Sequence, residues 1–454
     1  MNKPSLEQFG YTQELKRSLG VWQLTAFGLN YMIPLSPAIF FGFVLALSGG
    51  TVALPFIIAG IAVFFTAMSY AVMVQHFPLA GSLYNFVSQV WNKRIGFLAG
   101  WMLLLDYLFI TAVTSMSASL YFIQLVHVPY LLVLFIFIAI TGVINLLGIQ
   151  LVARLGLILL GLAELIVLLS FLVWGHAIIA RAGHIGSLFS SQPFAFTNIH
   201  TLMSATALAI ASYLGFDAIT TLTEEAQQPL KNIPKAIYLC VLLGGIGMVI
   251  TGYLALLACP NWPELIHDSN WQATALFYIS KQAGGEGFAV VYSIGFIISM
   301  AVFNIVATAA TARLLFGMGR DCVISKRLFG SVNQRFKTPH WNILLIMGLC
   351  FIVGYIGKID QLAKLVNYGA LFGFAVLNAA VVALYFKQPH ASLYVSSGKR
   401  FCFYVLFPAI GFAVITWVFM SLDTQTHICG TAWLLLGLVY LAIHRKATLP
   451  DITV

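Results

Sequence analysis

Long apolar runs separated by short polar connections make up most of the chain. A helix needs about 20 predominantly apolar residues to cross the hydrocarbon core of a bilayer, and twelve runs approach or exceed that length. They are residues 20–47, 52–74, 96–124, 129–147, 152–175, 201–224, 234–258, 286–311, 340–357, 362–386, 403–420 and 429–444. Strands of a membrane β-barrel would alternate polar and apolar positions, and these runs do not. The pattern predicts an all-α membrane protein with twelve transmembrane helices.

Composition agrees with a membrane protein and excludes other classes. Of the 454 residues, 60% are hydrophobic and 8% are charged, whereas soluble domains carry about 25% charged residues. The sequence therefore excludes a soluble enzyme or a nucleic-acid-binding domain, and it makes the lipid bilayer the expected surroundings. It contains no HExxH, Walker A or GxSxG motif and no CxxC spacing, so we expect neither an enzyme nor a cofactor or metal site. A disulfide between Cys259 and Cys429, near predicted outer loops, is not indicated.

The distribution of basic residues predicts the topology. If the N-terminus is cytoplasmic, 19 of the 23 Lys and Arg residues lie in cytoplasmic connections. The four on the other side are Arg181, Lys281, Lys358 and Lys364. This asymmetry fits the positive-inside rule. It predicts a multi-pass protein of the cytoplasmic (inner) membrane with both termini in the cytoplasm and no removable signal peptide.

No connection between the runs is long enough for a separate domain, so residues 1–454 are predicted to form one transmembrane domain. Within it we expect a cytoplasmic N-terminal segment at 1–19, a first repeat at 20–175, a second repeat at 201–386 and two extra helices at 403–444. The polar connections at 78–95 and 313–339 and the outer connection at 259–285 are predicted to be loops, the second with a short amphipathic helix.

Two spans contain residues that interrupt helices. Span 1 has Pro34 and Pro37, and each proline removes a backbone donor and crowds the preceding turn. Span 6 has Gly215 two residues before Asp217 inside an apolar run. One interpretation is a simple kink. We favour the other, in which both helices are broken at the midplane and form a substrate site, because spans 1 and 6 are equivalent if spans 1–5 and 6–10 are inverted repeats.

Three carboxylic acids, Asp106, Glu164 and Asp217, lie inside predicted spans without a Lys or Arg deep in any span. A charge near the bilayer centre is costly and is usually functional or paired. These residues are therefore candidates for binding a cationic ligand or a proton, and the alternative for Asp106 and Glu164 is a neutral packing role. Tyr31, Tyr107 and Tyr213 lie near the breaks or the acids and are candidates for cation–π contacts, with core packing as the alternative.

Several segments resemble the amino acid–polyamine–organocation (APC) superfamily of permeases. The run from Gly215 to Glu225, followed by Asn232 to Ile237, is similar to that superfamily's sixth-span signature, and Gly81 to Tyr84 with Gly96 to Trp101 is similar to its second-to-third span region. Three segments are most similar to the superfamily's bacterial putrescine importers. They are Gly28 to Pro34, Leu103 to Leu108, and Met318 to Asp321 with Lys337 to Pro339 after it.

The resemblance implies the five-plus-five inverted-repeat (LeuT-like) fold with broken helices 1 and 6, alternating access and proton-coupled uptake. It implies a substrate site between the breaks, with help from spans 3, 8 and 10. Carried over to this chain, the substrate-binding residues are Asn30, Tyr31, Met32, Ile33, Pro34, Leu35, Asp106, Tyr107, Ser212, Tyr213, Leu214 and Gly215. The proton-coupling candidates are Asp217 and Glu164.

The chain departs from the superfamily in span 1. Typical amino acid permeases carry a GxGxxxG run there, whose free amides hold the substrate carboxylate, whereas this chain has Ile33-Pro34-Leu35-Ser36-Pro37. Two amides are thus missing, which favours a substrate without a carboxylate. We therefore expect a secondary transporter that imports an amino acid or polyamine, with putrescine favoured and protons as the coupling ion, while sodium stays open. The alternatives are a neutral or cationic amino acid permease or exchanger, and a membrane nutrient sensor that binds without transporting.

Overall fold

The computed structural model describes residues 17, 19–33, 35–78, 82–147, 150–196, 198–223, 225–320, 324–333, 338–387 and 397–443, with side chains of 82, 150–160, 317, 320 and 397 left out. These residues are almost entirely helical, and ten helices are long and apolar enough to cross a membrane. A bent pair of helices at the start of the chain would make an eleventh span, and the shorter apolar helix His340–Ile356 lies at the ninth predicted position.

We number the spans 1 to 12 in chain order. Span 1 consists of 1a, Val21–Met32, and 1b, Pro37–Ser48; span 6 consists of 6a, Ile199–Ile210, and the 3-10 segment 6b, Phe216–Leu222. Spans 2 to 5 are Ala53–His76, Lys93–Leu125, Tyr130–Leu147 and Gln150–Ala182. Spans 7 to 10 are Pro229–Ala258, the helix Ser269–Arg320, His340–Ile356 and Ile359–Lys387. Span 11 joins a π-helical turn, Cys402–Leu406, to Phe407–Met420, and span 12 is Thr424–Ile443.

Spans 1 and 6 are both broken, as predicted. Helices 1a and 1b meet at 53°, and Pro37 begins 1b, where its missing N–H costs no helical bond. Pro34 lies outside the described residues. In span 6, a 3-10 turn at Ala211–Tyr213 is followed by Gly215 at φ 112 before 6b begins. Only glycine adopts this conformation readily, so the sequence itself places the break.

The structure adds helices to three predicted loops. The connection 78–95 contains the helix Ser82–Val90, which carries too little apolar sequence to score as a span. In 313–339 span 8 continues to Arg320, and the predicted short helix is present as the single turn Lys326–Phe329. The outer connection 259–285 is largely helical, since span 8 begins at Ser269 and continues through a kink at Gly285. Cys259 and Cys429 are both free thiols.

Contacts between span ends define two faces. On the face where span 1 begins, Leu19 pairs with the chain after 6b through Leu19 N to Glu225 O at 3.1 Å, and Lys387 donates to Val90 O at 2.7 Å. On the opposite face, Arg181 donates to Leu257 O at 2.6 Å, and Lys364 pairs with Asp423 at 3.0 Å. Successive spans therefore cross in alternate directions. We call the face where span 1 begins the basic face and the opposite face the neutral face.

Pairing between spans follows a five-plus-five inverted repeat. Span 1b packs on 6a, span 2 on 7, span 3 on 8 and span 4 on 9, so the first four spans of the first repeat each meet their counterpart. Helix 1a, at the basic face, packs on spans 5 and 7, while 6a, at the neutral face, packs on spans 10 and 2. The same neighbours thus recur on opposite faces. The two breaks meet at the centre of this arrangement.

Candidate substrate-binding site

A small cavity lies where the two broken helices meet. Its volume is about 20 Å³, which is room for about one water molecule. The lining residues come from spans 1, 3, 6 and 8. They are Tyr31, Met32, Ile33, Ser36, Ile39, Phe40, Asp106, Tyr107, Ile110, Thr114, Ala211, Leu214, Gly215 and Phe303. A solute with several heavy atoms fits here only after the helices move apart.

Aromatic side chains pack around the site on the sides of both faces. On the basic side, Tyr70 packs edge-on against Phe216, Phe374 and Phe86 at ring distances of 5.5, 6.3 and 6.2 Å. On the neutral side, the Tyr121 hydroxyl donates to Ala38 O at 3.2 Å, and its ring packs at a tilt against Phe296 of span 8.

Asp106 places a carboxylate in the cavity wall. The residue is 5% exposed, and span 3 carries it level with the break in span 1. Among the described residues that line the cavity there is no Lys, Arg or His. A buried carboxylate without a cationic partner is unfavourable, so the wall is chemically suited to a ligand that brings a positive charge.

Asp217 lies behind the cavity wall, towards the basic face. It accepts a hydrogen bond from the Tyr107 hydroxyl at 3.3 Å, and the backbone amides of Gly215 and Ala218 also interact with its carboxylate. The Gly215 and Ala218 amides lie at the start of 6b, where the positive end of the helix dipole favours a negative charge. Tyr107 therefore connects the cavity wall to a second carboxylate.

Tyr31 supplies an aromatic ring to the cavity wall. Its ring meets Phe303 edge-on at 5.3 Å, and its buried hydroxyl has no hydrogen-bond partner among the described residues. A tyrosine face attracts an ammonium group, and an unpaired hydroxyl can donate or accept. The position offers two ways of contacting a polar ligand.

The whole described bundle matches one family. The model of the amino acid permease family covers residues 19–443. The chain belongs to the amino acid permease family.

The relatives described here match this permease over nearly its whole length, and they are transporters. It is 29% identical over 439 residues to the low-affinity putrescine importer PlaP of Escherichia coli, covering 96% of this chain and 95% of that one. It is 27% identical over 460 residues to the branched-chain amino acid permease BcaP of Bacillus subtilis, covering 96% and 94%. The methylthioribose transporter of the same organism is 27% identical over 466 residues, covering 96% and 95%. The permease is thus a multi-pass membrane transporter of amino acids or polyamines.

Seven of the predicted substrate-binding residues line the cavity of the permease. They are Tyr31, Met32, Ile33, Asp106, Tyr107, Leu214 and Gly215. Their contact with a substrate stays a prediction, but the structure brings them together from three spans.

The other predicted residues lie elsewhere. The Tyr213 hydroxyl points away and donates to Phe56 O in span 2 at 2.7 Å, and the Ser212 carbonyl accepts a bond from Ser36 at 3.2 Å. Asn30 and Leu35 are next to lining residues of span 1 in the sequence but do not line the cavity themselves. Pro34 is outside the described residues. Glu164 is half-buried on span 5 and is not a lining residue.

Sequence reasoning missed a polar network next to the cavity. The Asn304 amide of span 8 donates to Thr111 O at 2.8 Å, Thr114 Oγ1 at 3.1 Å and Ser115 Oγ at 2.8 Å. Thr114 lines the cavity, so this network joins spans 3 and 8 directly beside it. An asparagine within an apolar span is the signal that could have identified it, because such side chains hydrogen-bond between helices.

The remaining missed residues follow from helix geometry or from packing. Ile110 and Thr114 lie four and eight residues after Asp106, on the same face of span 3, and this spacing could have predicted them. Ile39 and Phe40 belong to 1b, beyond the proline run. Phe303 reaches the cavity only through the packing of span 8 on span 3, which no local pattern encodes.

Proposed function

We propose that this permease imports a small amine-bearing solute, with the diamine putrescine as the favoured substrate. The observation that carries the proposal is the buried Asp106 carboxylate in a cavity wall that holds no cation among its described residues. A substrate ammonium group would supply the missing charge, and the Tyr31 ring would add an attractive face.

The break in span 1 supports a substrate without a carboxylate. Pro34 and Pro37 remove two backbone donors from the segment where amino acid permeases bind that group. The relative PlaP, which aligns with 96% of this chain across 95% of its own length, is a putrescine importer. Together these observations favour a diamine over an amino acid.

A second candidate substrate is an apolar amino acid. Ile33, Ile39, Phe40 and Ile110 give the cavity a largely aliphatic wall, which would suit a branched side chain. BcaP, a branched-chain amino acid permease, covers this chain equally well. In that case Asp106 would bind the α-amino group, and the carboxylate would need another partner.

We further propose proton coupling through Asp217, with the basic face in the cytoplasm of a cytoplasmic (inner) membrane. The Tyr107 hydroxyl joins Asp217 to the cavity wall, so binding of a cation at Asp106 would be sensed electrostatically at the second carboxylate. The basic face carries most Lys and Arg residues, in accord with the positive-inside rule. Glu164 stays an alternative proton carrier, although it lies outside the cavity.

Replacement of Asp106 tests the binding proposal. Asp106→Asn keeps the shape but removes a charge-assisted hydrogen bond, worth about 1.5–3 kcal/mol, so KM for putrescine should rise about 10- to 100-fold. Initial uptake rates in proteoliposomes measure this, with the same substitution at the exposed Asp268 as control. An unchanged KM for Asp106→Asn would remove Asp106 from the site.

Replacement of Asp217 tests the coupling proposal. Asp217→Asn cannot take up or release a proton, so uptake should lose its dependence on pH while the variant still binds putrescine. The measurement is the uptake rate from pH 5 to 8, a range chosen around neutrality, together with a binding assay. A pH profile identical to that of the Asp268→Asn control would rule out this role for Asp217.

A further inference from the structure

Two non-glycine residues among those described have a positive φ angle. Gln228, at φ 46, is exposed in the turn before span 7. Ile33, at φ 53, is 4% exposed, ends helix 1a and lines the cavity. A β-branched residue at positive φ is a conformational outlier, and such strain collects at sites where the side chain is needed.

The break in span 6 provides a direct contrast. There Gly215 occupies φ 112, and a Cβ atom would lie 2.2 Å from Cδ1 of Tyr31. Glycine is thus the only residue that fits at one break. At the other break the chain keeps a branched side chain although glycine would remove the strain.

The backbone of Ile33 does not explain why the side chain is present. Its carbonyl accepts a bond from Ser36 N at 2.8 Å, which closes the turn between 1a and 1b. Glycine would form the same bond, since only main-chain atoms take part. What glycine would not supply is the four-carbon side chain in the wall of a cavity that holds about one water molecule.

We propose that Ile33 determines substrate size in this permease. Its strained backbone holds the side chain in the cavity wall that also contains Asp106, where it limits the length of the carbon chain that an Asp106-bound amine can carry. The proposal rests on the proposed function: once the helices have moved apart, putrescine is accepted and longer diamines are rejected. A methylene group in an apolar pocket changes selectivity by about 10- to 200-fold.

The test is the ratio of kcat/KM for putrescine to that for 1,7-diaminoheptane in proteoliposomes. In Ile33→Ala we expect this ratio to fall at least about tenfold, because uptake of the longer diamine rises. Ile33→Val keeps the branch and should change the ratio by less than about threefold. The matched control is Ile415→Ala, which removes the same atoms from a buried position in span 11 that does not line the cavity. It should leave the ratio near that of the wild type.

Thermal unfolding of the purified variants tests the strain separately. Ile33→Gly should melt at a higher temperature than Ile33→Ala, the reverse of the usual order within a helix. A lower melting temperature for glycine would overturn the proposal, as would an unchanged ratio in Ile33→Ala or an equal change in Ile415→Ala. If wild-type vesicles accumulate an amino acid but neither diamine, the proposed substrate is wrong. The inference about size then falls with it, whatever the melting temperatures are.

Discussion

Gly215 is the residue on which the geometry of the site depends most closely. It combines a φ of 112 with contact against both the ring and the backbone of Tyr31. The two broken helices therefore touch at a position that has no room for a side chain. This contact brings Tyr31 and Leu214 into the same cavity wall.

Substitution of Gly215 should separate folding of the bundle from formation of the site. Gly215→Ala places a Cβ against Tyr31 in a backbone conformation that costs about 1–3 kcal/mol, so transport should be lost and the melting temperature should fall. Gly247→Ala is the matched control, because a Cβ there meets nothing within 4 Å and alanine favours a helix. Normal transport by Gly215→Ala would contradict the described break.

At the residue scale, the sequence identified the site where polarity or backbone chemistry interrupts an apolar run. Asp106 and Gly215 were predicted for that reason, Ile33 was implied by the resemblance to known permeases, and all three line the cavity. Tyr213 was predicted by proximity in sequence, but its hydroxyl is bound to span 2. The direction of a side chain around a 3-10 turn depends on its neighbours in space, so the pattern alone could not exclude it.

Span 12 is held to the bundle by a reciprocal tryptophan pair. Trp101 donates its indole N–H to Trp433 O at 2.8 Å, and Trp433 donates to Trp101 O at 2.9 Å. The rings stack with centroids 4.6 Å apart, and Gly437 lets Trp101 approach, since a Cβ there would lie 2.6 Å from the ring. The pair fixes span 12, which buries few of its own residues, against span 3.

Weakening this pair should lower stability without changing substrate affinity. Trp433→Phe removes one hydrogen bond, worth about 0.5–1.5 kcal/mol, and leaves the cavity untouched because neither tryptophan lines it. We expect a lower melting temperature with an unchanged KM. Trp417→Phe is the control, because that side chain is 53% exposed. A change in KM with Trp433→Phe would mean that span 12 acts on the site.

At the element scale, the sequence located the spans but not the short helices between them. Hydropathy identifies a helix by its apolar length, so the helix Ser82–Val90 was predicted to be a loop. The pairing of spans 3 and 12 also escaped prediction. Tryptophans occur in many membrane helices, and only the packed structure shows which two meet.

In the whole molecule, contacts between spans of the inverted repeat join them into two units. Leu19 pairs with Ala226 across the basic face, which joins the beginning of 1a to the end of 6b. Asn304 joins spans 3 and 8 into another unit through its hydrogen bonds to span 3. The small cavity lies between these units, so a substrate can enter or leave when one unit moves relative to the other.

At this scale the positions of the apolar helices and their alternation followed from hydropathy and charge. The inverted repeat did not, because its halves share no recognisable residue pattern. It was expected from the resemblance to known permeases, and its physical basis is the recurrence of the same packing neighbours on opposite faces.

We propose above all that the buried Asp106 carboxylate, in a cavity wall without a cation among its described residues, selects an amine substrate. The most direct test is accumulation of labelled putrescine in proteoliposomes under an inward proton gradient, with unlabelled amino acids as competitors. We predict accumulation that collapses with the gradient and resists amino acid competition. Vesicles that accumulate an amino acid but no putrescine would contradict the claim, and Asp106 would then bind an α-amino group instead.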